Sequence, residues 1–79
     1  MAFDIRTRVV EVLVDDFGVP RDEISFTAPY DQLSFDSLML LELALILKAE
    51  SGVALSEKEI GDAATLDGFV DVFLQRSAA

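Results

Sequence analysis

The 79-residue chain contains no cysteine and no histidine. Without cysteine, it has no disulfide framework, no thiolate nucleophile and no zinc site of the usual kind. Without histidine, it lacks the side chain that most often serves as a general base near neutral pH. The composition therefore argues against an autonomous enzyme, and we expect neither catalytic residues nor a metal site.

Basic residues are scarce, since 6 lysines and arginines stand against 15 aspartates and glutamates, for a net charge of -9. So few cations cannot neutralise a phosphate backbone, and we therefore expect no nucleic-acid partner. The charge instead favours partners with basic surfaces. With 52% hydrophobic residues, the chain is too apolar for a disordered acidic tail and is predicted to have a folded core.

Long hydrophobic stretches are also missing. The longest apolar run, residues 38–47, is interrupted by Glu42 and is half the length of about 20 residues that a membrane span needs. Residues 1–6 lack the basic start and the apolar stretch of a signal peptide. We therefore expect a cytoplasmic protein that does not enter a membrane, and we expect it to be a monomer.

Apolar residues at helical spacing predict an all-α fold, a small bundle of three main helices plus one short helix. The predicted helices cover residues 4–17, 37–50, 57–61 and 66–76 of a single domain, residues 1–79. Gly18 and Pro20 end the first helix. Ser56 and Glu59 form a capping-box pattern that begins the short third helix, which Gly61 follows closely. Residues 18–36 are predicted to be a long loop that packs against the bundle.

The second predicted helix has an excess of apolar residues, since nine of the ten residues at 38–47 are apolar. A helix buried on one side needs an apolar stripe of little more than about 100°. In so thin a domain, part of this helix is therefore expected to remain exposed as a hydrophobic docking patch. The candidates for that patch are Met39, Leu40, Leu41 and Leu45. The alternative is a central helix that is buried on all sides.

The tripeptide Asp36-Ser37-Leu38 stands at the head of this helix. It follows an amphipathic helix and a long loop, and it opens a leucine-rich helix that contains Glu42. In this context it resembles the acyl carrier protein superfamily, which includes peptidyl carrier domains, over nearly the whole chain. The resemblance implies a non-catalytic carrier whose Ser37 bears 4′-phosphopantetheine from coenzyme A, with Asp36 and Leu38 completing the cofactor-binding site. The alternative is that Ser37 is only a helix-start residue.

The resemblance also implies a set of partners. A phosphopantetheinyl transferase would attach the group to Ser37, where the N-terminus of a helix favours a phosphodiester. Acyl- or aminoacyl-loading, condensing or tailoring enzymes would then dock on the second helix. The predicted docking residues are Met39, Leu41, Glu42 and Leu45.

The chain departs from the commonest form of the family. Fatty-acid carriers typically have an acidic residue directly after the tripeptide, where this chain has Met39, and Lys48 and Ala49 interrupt the later acidic residues. These departures favour a carrier of polyketide or nonribosomal peptide biosynthesis, and Met1 suggests a discrete protein. The alternatives are a carrier of fatty-acid synthesis and an unmodified acidic helical module that binds partner proteins.

Overall fold

A computed structural model describes residues 4–33 and 35–78. Its four α-helices are α1 (Ile5–Asp15), α2 (Ser37–Ser51), α3 (Glu57–Ala63) and α4 (Leu66–Ala78). Two short 3-10 helices, Arg21–Glu23 and Tyr30–Leu33, lie in the connection between α1 and α2. The described residues form no strand, and the predicted all-α bundle with one short helix is confirmed. The ends of the predicted domain, residues 1–3 and 79, lie outside the described residues.

Helix α1 starts one residue later and ends two residues earlier than predicted. Asp4 caps its N-terminus by accepting hydrogen bonds from the hydroxyl (2.8 Å) and the backbone N–H (3.4 Å) of Thr7. These bonds hold the pKa of Asp4 below its usual range. At the other end, the Phe17 N–H donates to the Val12 carbonyl, and Gly18 adopts a φ of 69°. The backbone therefore leaves α geometry before residue 17, although the apolar spacing continues to that residue.

The predicted end of α3 at residue 61 is wrong, because the helix continues to Ala63. Gly61 is exposed and has open space around it, and one glycine weakens a helix by only about 1 kcal/mol relative to alanine. The helix stops where Ala64 adopts a φ of 63°. At its start, the Glu59 N–H donates to Ser56 Oγ at 3.1 Å, and the Ser56 N–H donates to the Glu59 carboxylate at 3.0 Å.

Helices α2 and α4 extend one and two residues beyond their predicted ends. Although α2 is the most apolar helix, no helix in the described part of the chain is long and apolar enough to cross a membrane.

The hydrophobic core takes residues from all four helices and from the end of the long loop. The buried residues are Ile5, Val9, Val12, Leu13, Phe35, Leu40, Leu43, Ala44, Leu47, Ile60, Leu66, Phe69, Val70 and Phe73.

The long loop before α2 is fastened to the link between α3 and α4 by its backbone. The Tyr30 N–H donates to the Ala64 carbonyl at 3.0 Å, and the Asp67 N–H donates to the Phe26 carbonyl at 2.9 Å. The side chains of Phe26 and Tyr30 also pack against the core. These contacts hold the loop as an ordered crossing over the bundle, so the chain enters α2 from a fixed position.

Three arginines connect helices across the bundle surface. The Arg8 guanidinium forms a two-point ion pair with the Glu50 carboxylate, with Nε donating to Oε1 at 2.7 Å. Arg6 pairs with Asp67 through one nitrogen, and Arg76 pairs with one oxygen of Glu59, in each case from one helix to another. Because Arg8 lies near the start of α1 and Glu50 near the end of α2, these two helices are antiparallel. The end of α1 therefore lies at the same end of the bundle as the start of α2.

Candidate functional site

The start of α2 is fixed by the residue that precedes it. Asp36 has an extended backbone, and its carboxylate accepts a hydrogen bond from the Met39 N–H at 2.8 Å. Its carbonyl accepts the first bond of the helix, from the Leu40 N–H at 3.2 Å. The ring of Phe35 is buried in the core one residue earlier. This arrangement, with an apolar anchor and then a carboxylate cap, defines Ser37 as the first helical residue.

The Ser37 side chain is exposed, and among the described residues no hydrogen bond occupies its hydroxyl. Backbone N–H groups in the first turn of a helix have no acceptor within that helix, and they carry the positive end of the helix dipole. An anionic group bound to Ser37 Oγ would therefore lie next to partial positive charge and hydrogen-bond donors. The start of α2 thus has the accessibility and the electrostatics that a phosphodiester needs.

An exposed apolar surface begins beside this serine and runs along α2. Leu38 is 65% exposed and Leu45 is 63% exposed. Seven residues apart, they lie on the same face of the helix, and Glu42 is exposed between them. Met39 and Leu41 flank this face and are partly buried. We call Leu38, Met39, Leu41, Glu42 and Leu45 the α2 face.

Two expectations for α2 need correction. Leu40, which the sequence analysis included among the candidates for the exposed patch, is only 4% exposed. It lies with Leu43 and Leu47 on the inward face, because residues three, four and seven positions apart share one side of a helix. The alternative of a helix buried on all sides is also wrong, since Leu38 and Leu45 are exposed. The exposure of Leu38 was missed, although its position four residues before Glu42, the one charged residue of 38–47, places both on the same side of the helix.

The charged groups near the α2 face are available to a partner. Glu42 and Lys48 are both exposed, and neither makes an ion pair within the described residues. The described residues also contain no group of three or more acidic, histidine or cysteine side chains that could hold a metal ion. What this surface offers is therefore an exposed hydroxyl at a helix start, followed by an apolar face with one central carboxylate.

Comparison with known proteins identifies the family to which this chain belongs. The family model described as "Phosphopantetheine attachment site" matches residues 7–73. The chain is 30% identical over 70 residues to the acyl carrier protein of Petrotoga mobilis. The aligned residues cover 87% of this chain and 82% of the Petrotoga protein. It is 36% identical over 56 residues to the acyl carrier protein of Solidesulfovibrio magneticus, covering 70% of this chain and 72% of that one. The chain therefore belongs to the phosphopantetheine-binding acyl carrier proteins, non-catalytic carriers with a covalently attached 4′-phosphopantetheine group.

Proposed function

We propose that Ser37 is the residue that carries the phosphopantetheine group. The observation that supports this most is the position of its hydroxyl, exposed at the first residue of α2. The carboxylate of Asp36 supports the role indirectly, because by capping the helix it fixes where the serine stands. Leu38 follows on the surface and offers an apolar contact beside the attachment point.

Attachment is a transfer from coenzyme A catalysed by a phosphopantetheinyl transferase. A bond forms between Ser37 Oγ and the phosphorus next to pantetheine, and the pyrophosphate P–O bond of coenzyme A breaks. Adenosine 3′,5′-bisphosphate leaves, and the hydroxyl proton passes to a base on the transferase. The chain itself contributes the accessible hydroxyl and the electrostatic environment of the helix start.

When bound, the group supplies a terminal thiol that holds acyl or aminoacyl units as thioesters. The fold keeps the attachment point at one end of a rigid bundle, where separate enzymes can reach it. A tether of this kind raises the effective concentration of the substrate at each enzyme without new contacts.

The α2 face is the surface on which these enzymes are proposed to dock. Leu38 and Leu45 present exposed apolar area, and Glu42 presents a carboxylate between them. Contacts with apolar side chains dominate such a surface, and one central charge favours a partner that brings a lysine or arginine to it. Met39 and Leu41 add partly exposed apolar area at the margins of the α2 face, and the Met39 side chain is flexible.

We further propose that the chain serves polyketide or nonribosomal peptide biosynthesis in the cytoplasm. The support is Met39, which stands where fatty-acid carriers typically have an acidic residue, and the apolar character of the α2 face. A second candidate is fatty-acid synthesis, which is equally consistent with relatives whose names say only "Acyl carrier protein". The two candidates differ in the enzymes that load the thiol.

Intact-protein mass spectrometry tests the attachment. The protein is incubated with coenzyme A, Mg²⁺ and a broad-specificity phosphopantetheinyl transferase, and the product is mapped by peptide. We expect one added group on the peptide that contains Ser37, and no added group on Ser37→Ala. A folded Ser37→Ala protein that is still modified would exclude this serine. Ser51→Ala, an exposed serine at the other end of α2, is the matched control and is expected to be modified normally.

Loading assays separate the two biosynthetic candidates. The modified protein is offered to a malonyl transferase of fatty-acid synthesis and to acyl- or aminoacyl-loading enzymes of secondary metabolism. Preferential loading by the second group supports the proposal. A kcat/KM with the fatty-acid enzyme that equals the value for a fatty-acid carrier would favour the other candidate.

A further inference from the structure

Two opposite charges on α2 have no partner within the described part of the chain. Glu42 and Lys48 are both exposed, and neither forms an ion pair or a side-chain hydrogen bond with another described residue. They cannot bond to each other, because neighbours on a helix surface are three or four residues apart and these two are six apart. Glu50, the other acidic residue of α2, is already bound by Arg8. This helix of an acidic protein therefore presents one free carboxylate and one free ammonium group.

The two free charges lie symmetrically about Leu45, which is 63% exposed. Glu42 is three residues before this leucine, and Lys48 is three residues after it. Each charge is therefore displaced from Leu45 by about 4.5 Å along the helix axis and by about 60° around it, in opposite senses. A rotation of 180° about a line that leaves the helix through Leu45 exchanges the two positions.

A second copy of the chain, placed against α2 by this rotation, has the complementary charge at each position. The two α2 helices then run antiparallel, and the same patch of both copies forms the contact. With Leu45 on the two-fold axis, each residue faces the residue that lies equally far on the other side of Leu45. Glu42 of each copy therefore faces Lys48 of the other, which gives two ion pairs, and Leu45 packs against Leu45.

The apolar residues around these charges are matched in size under the same symmetry. Leu41 of one copy faces Ala49 of the other, and Leu38 faces Gly52. Ala49 is exposed, and Gly52 is exposed with open space where a side chain would lie. Each of the two leucines therefore meets a small residue, which allows the helices to approach closely on both sides of the axis.

The strength of such a contact is limited by charge and by area. The net charge of -9 makes two copies repel each other, but this repulsion is largely screened beyond about 8 Å at physiological ionic strength. The contact itself adds no net charge, because Glu42 balances Lys48 and Arg8 balances Glu50. One helix pair buries less than the roughly 1,600 Å² of a standard interface, so we expect a weak association. A dissociation constant of about 1 mM would place half of the chains in pairs at about 1 mM protein.

We propose that the α2 face, together with Lys48, Ala49 and Gly52, binds a second copy of this chain in a two-fold antiparallel pair of α2 helices centred on Leu45. In dilute solution the chain is then the monomer expected from the sequence, and the pair forms as the concentration rises. Because the pair covers the α2 face, the enzymes proposed to dock there act on the dissociated chain. The pairing does not depend on modification of Ser37.

Nuclear magnetic resonance of the unmodified protein tests the pairing. The protein is diluted from about 1 mM to about 0.05 mM at about 0.15 M NaCl, and we expect signal shifts that are largest over residues 38–52. Sedimentation equilibrium is expected to fit a monomer–dimer equilibrium. In a mixture of ¹³C-labelled and unlabelled copies, we expect a nuclear Overhauser effect between the methyl groups of Leu41 and Ala49. These residues are about 12 Å apart along one helix, so this effect can arise only between copies.

Two charge-reversal variants serve as controls for each other. Glu42→Lys makes the chain less acidic and Lys48→Glu makes it more acidic, so an effect of net charge alone would change the dissociation constant in opposite directions. The two-fold contact predicts that both variants raise it about tenfold, because each places like charges against each other twice. The double variant Glu42→Lys/Lys48→Glu regains both ion pairs and is expected to associate like the unsubstituted protein. An equimolar mixture of the two single variants is expected to form mixed pairs.

The pairing is overturned if dilution leaves the signals unchanged, if the single variants shift the dissociation constant in opposite directions, or if the double variant associates no better than either single one. Circular dichroism checks that each variant keeps its helices, which we expect because both side chains are exposed. Ser37→Ala is expected to lose the phosphopantetheine group and keep the pairing, so failure of the attachment and failure of the pairing are observed separately.

Discussion

Any side chain at Gly68 is expected to destabilise the fold, because the first turn of α4 approaches the end of α3 very closely there. A methyl group at Gly68 would lie 2.4 Å from the carbonyl oxygen of Ala63 and 3.0 Å from its carbonyl carbon. Both are backbone atoms, so relief requires moving the α3–α4 link. Overpacking of this kind costs about 1–3 kcal/mol, and the helix gains about 0.5–1 kcal/mol from alanine. We therefore expect Gly68→Ala to lower stability by about 1 kcal/mol, and by at most about 2.5 kcal/mol.

Gly61→Ala is the matched control, since this glycine also lies inside a helix but has nothing within 4 Å of its missing side chain. We expect it to raise stability by about 0.5–1 kcal/mol. In thermal unfolding followed by circular dichroism, these changes correspond to roughly 4–8 °C per kcal/mol for a domain of this size. Urea midpoints with unchanged m-values would give the same order. The reasoning is refuted if Gly68→Ala is as stable as the unsubstituted protein, or if the two variants shift in the same direction.

Leu45→Asp is expected to lower kcat/KM for modification by the transferase about tenfold, because an exposed leucine of the proposed docking face becomes charged. Leu74→Asp changes a leucine that is 49% exposed on α4 and is expected to leave this rate unchanged, so equal losses would contradict docking on α2. A second expectation concerns acid stability. The hydrogen bonds from Arg8 hold the pKa of Glu50 below its usual range, so the ion pair contributes stability above the unfolded carboxylate pKa of about 4.3. That contribution is lost as the pH falls through the lower folded value. Urea midpoints measured below about pH 4.5 are therefore expected to depend less on pH in Glu50→Gln than in Glu42→Gln, and identical pH profiles would contradict this.

The helices could be located from the sequence because α1 and α4 have apolar residues at helical spacing, and α2 and α3 have a capping residue at their start. Asp36 before α2 and Ser56 before α3 both act as caps in the structure. The ends were harder to predict, and Gly61 shows why. Glycine is a common terminator, but one exposed glycine costs too little to stop a helix that Ala63 still packs against the core. Helix α3 ends because Ala64 adopts a left-handed backbone conformation, which alanine gives no reason to predict from the sequence.

The site was predictable to different degrees at different positions. The position of Ser37 followed from a cap and a leucine-rich helix, which are local features. The division of α2 into inward and outward faces was not predicted, because nearly every residue is apolar and the pattern lacks the polar contrast that marks a face. The main-chain hydrogen bond from Tyr30 to Ala64, which holds the loop before α2, joins residues that are far apart in the sequence. Such a contact is set by tertiary packing, which a single sequence does not encode as a pattern.

The attachment of the loop through main-chain hydrogen bonds has a consequence for how this protein can be diversified. The donors at Tyr30 and Asp67 and the acceptors at Ala64 and Phe26 belong to the peptide groups. Any residue except proline can supply those donors. The hydrogen bonds that hold the loop therefore do not depend on the identity of exposed neighbours such as Thr27. A combinatorial library at outward-facing loop positions is expected to keep the fold while changing the surface of the loop. The surface that this loop presents can thus be changed without redesigning the core.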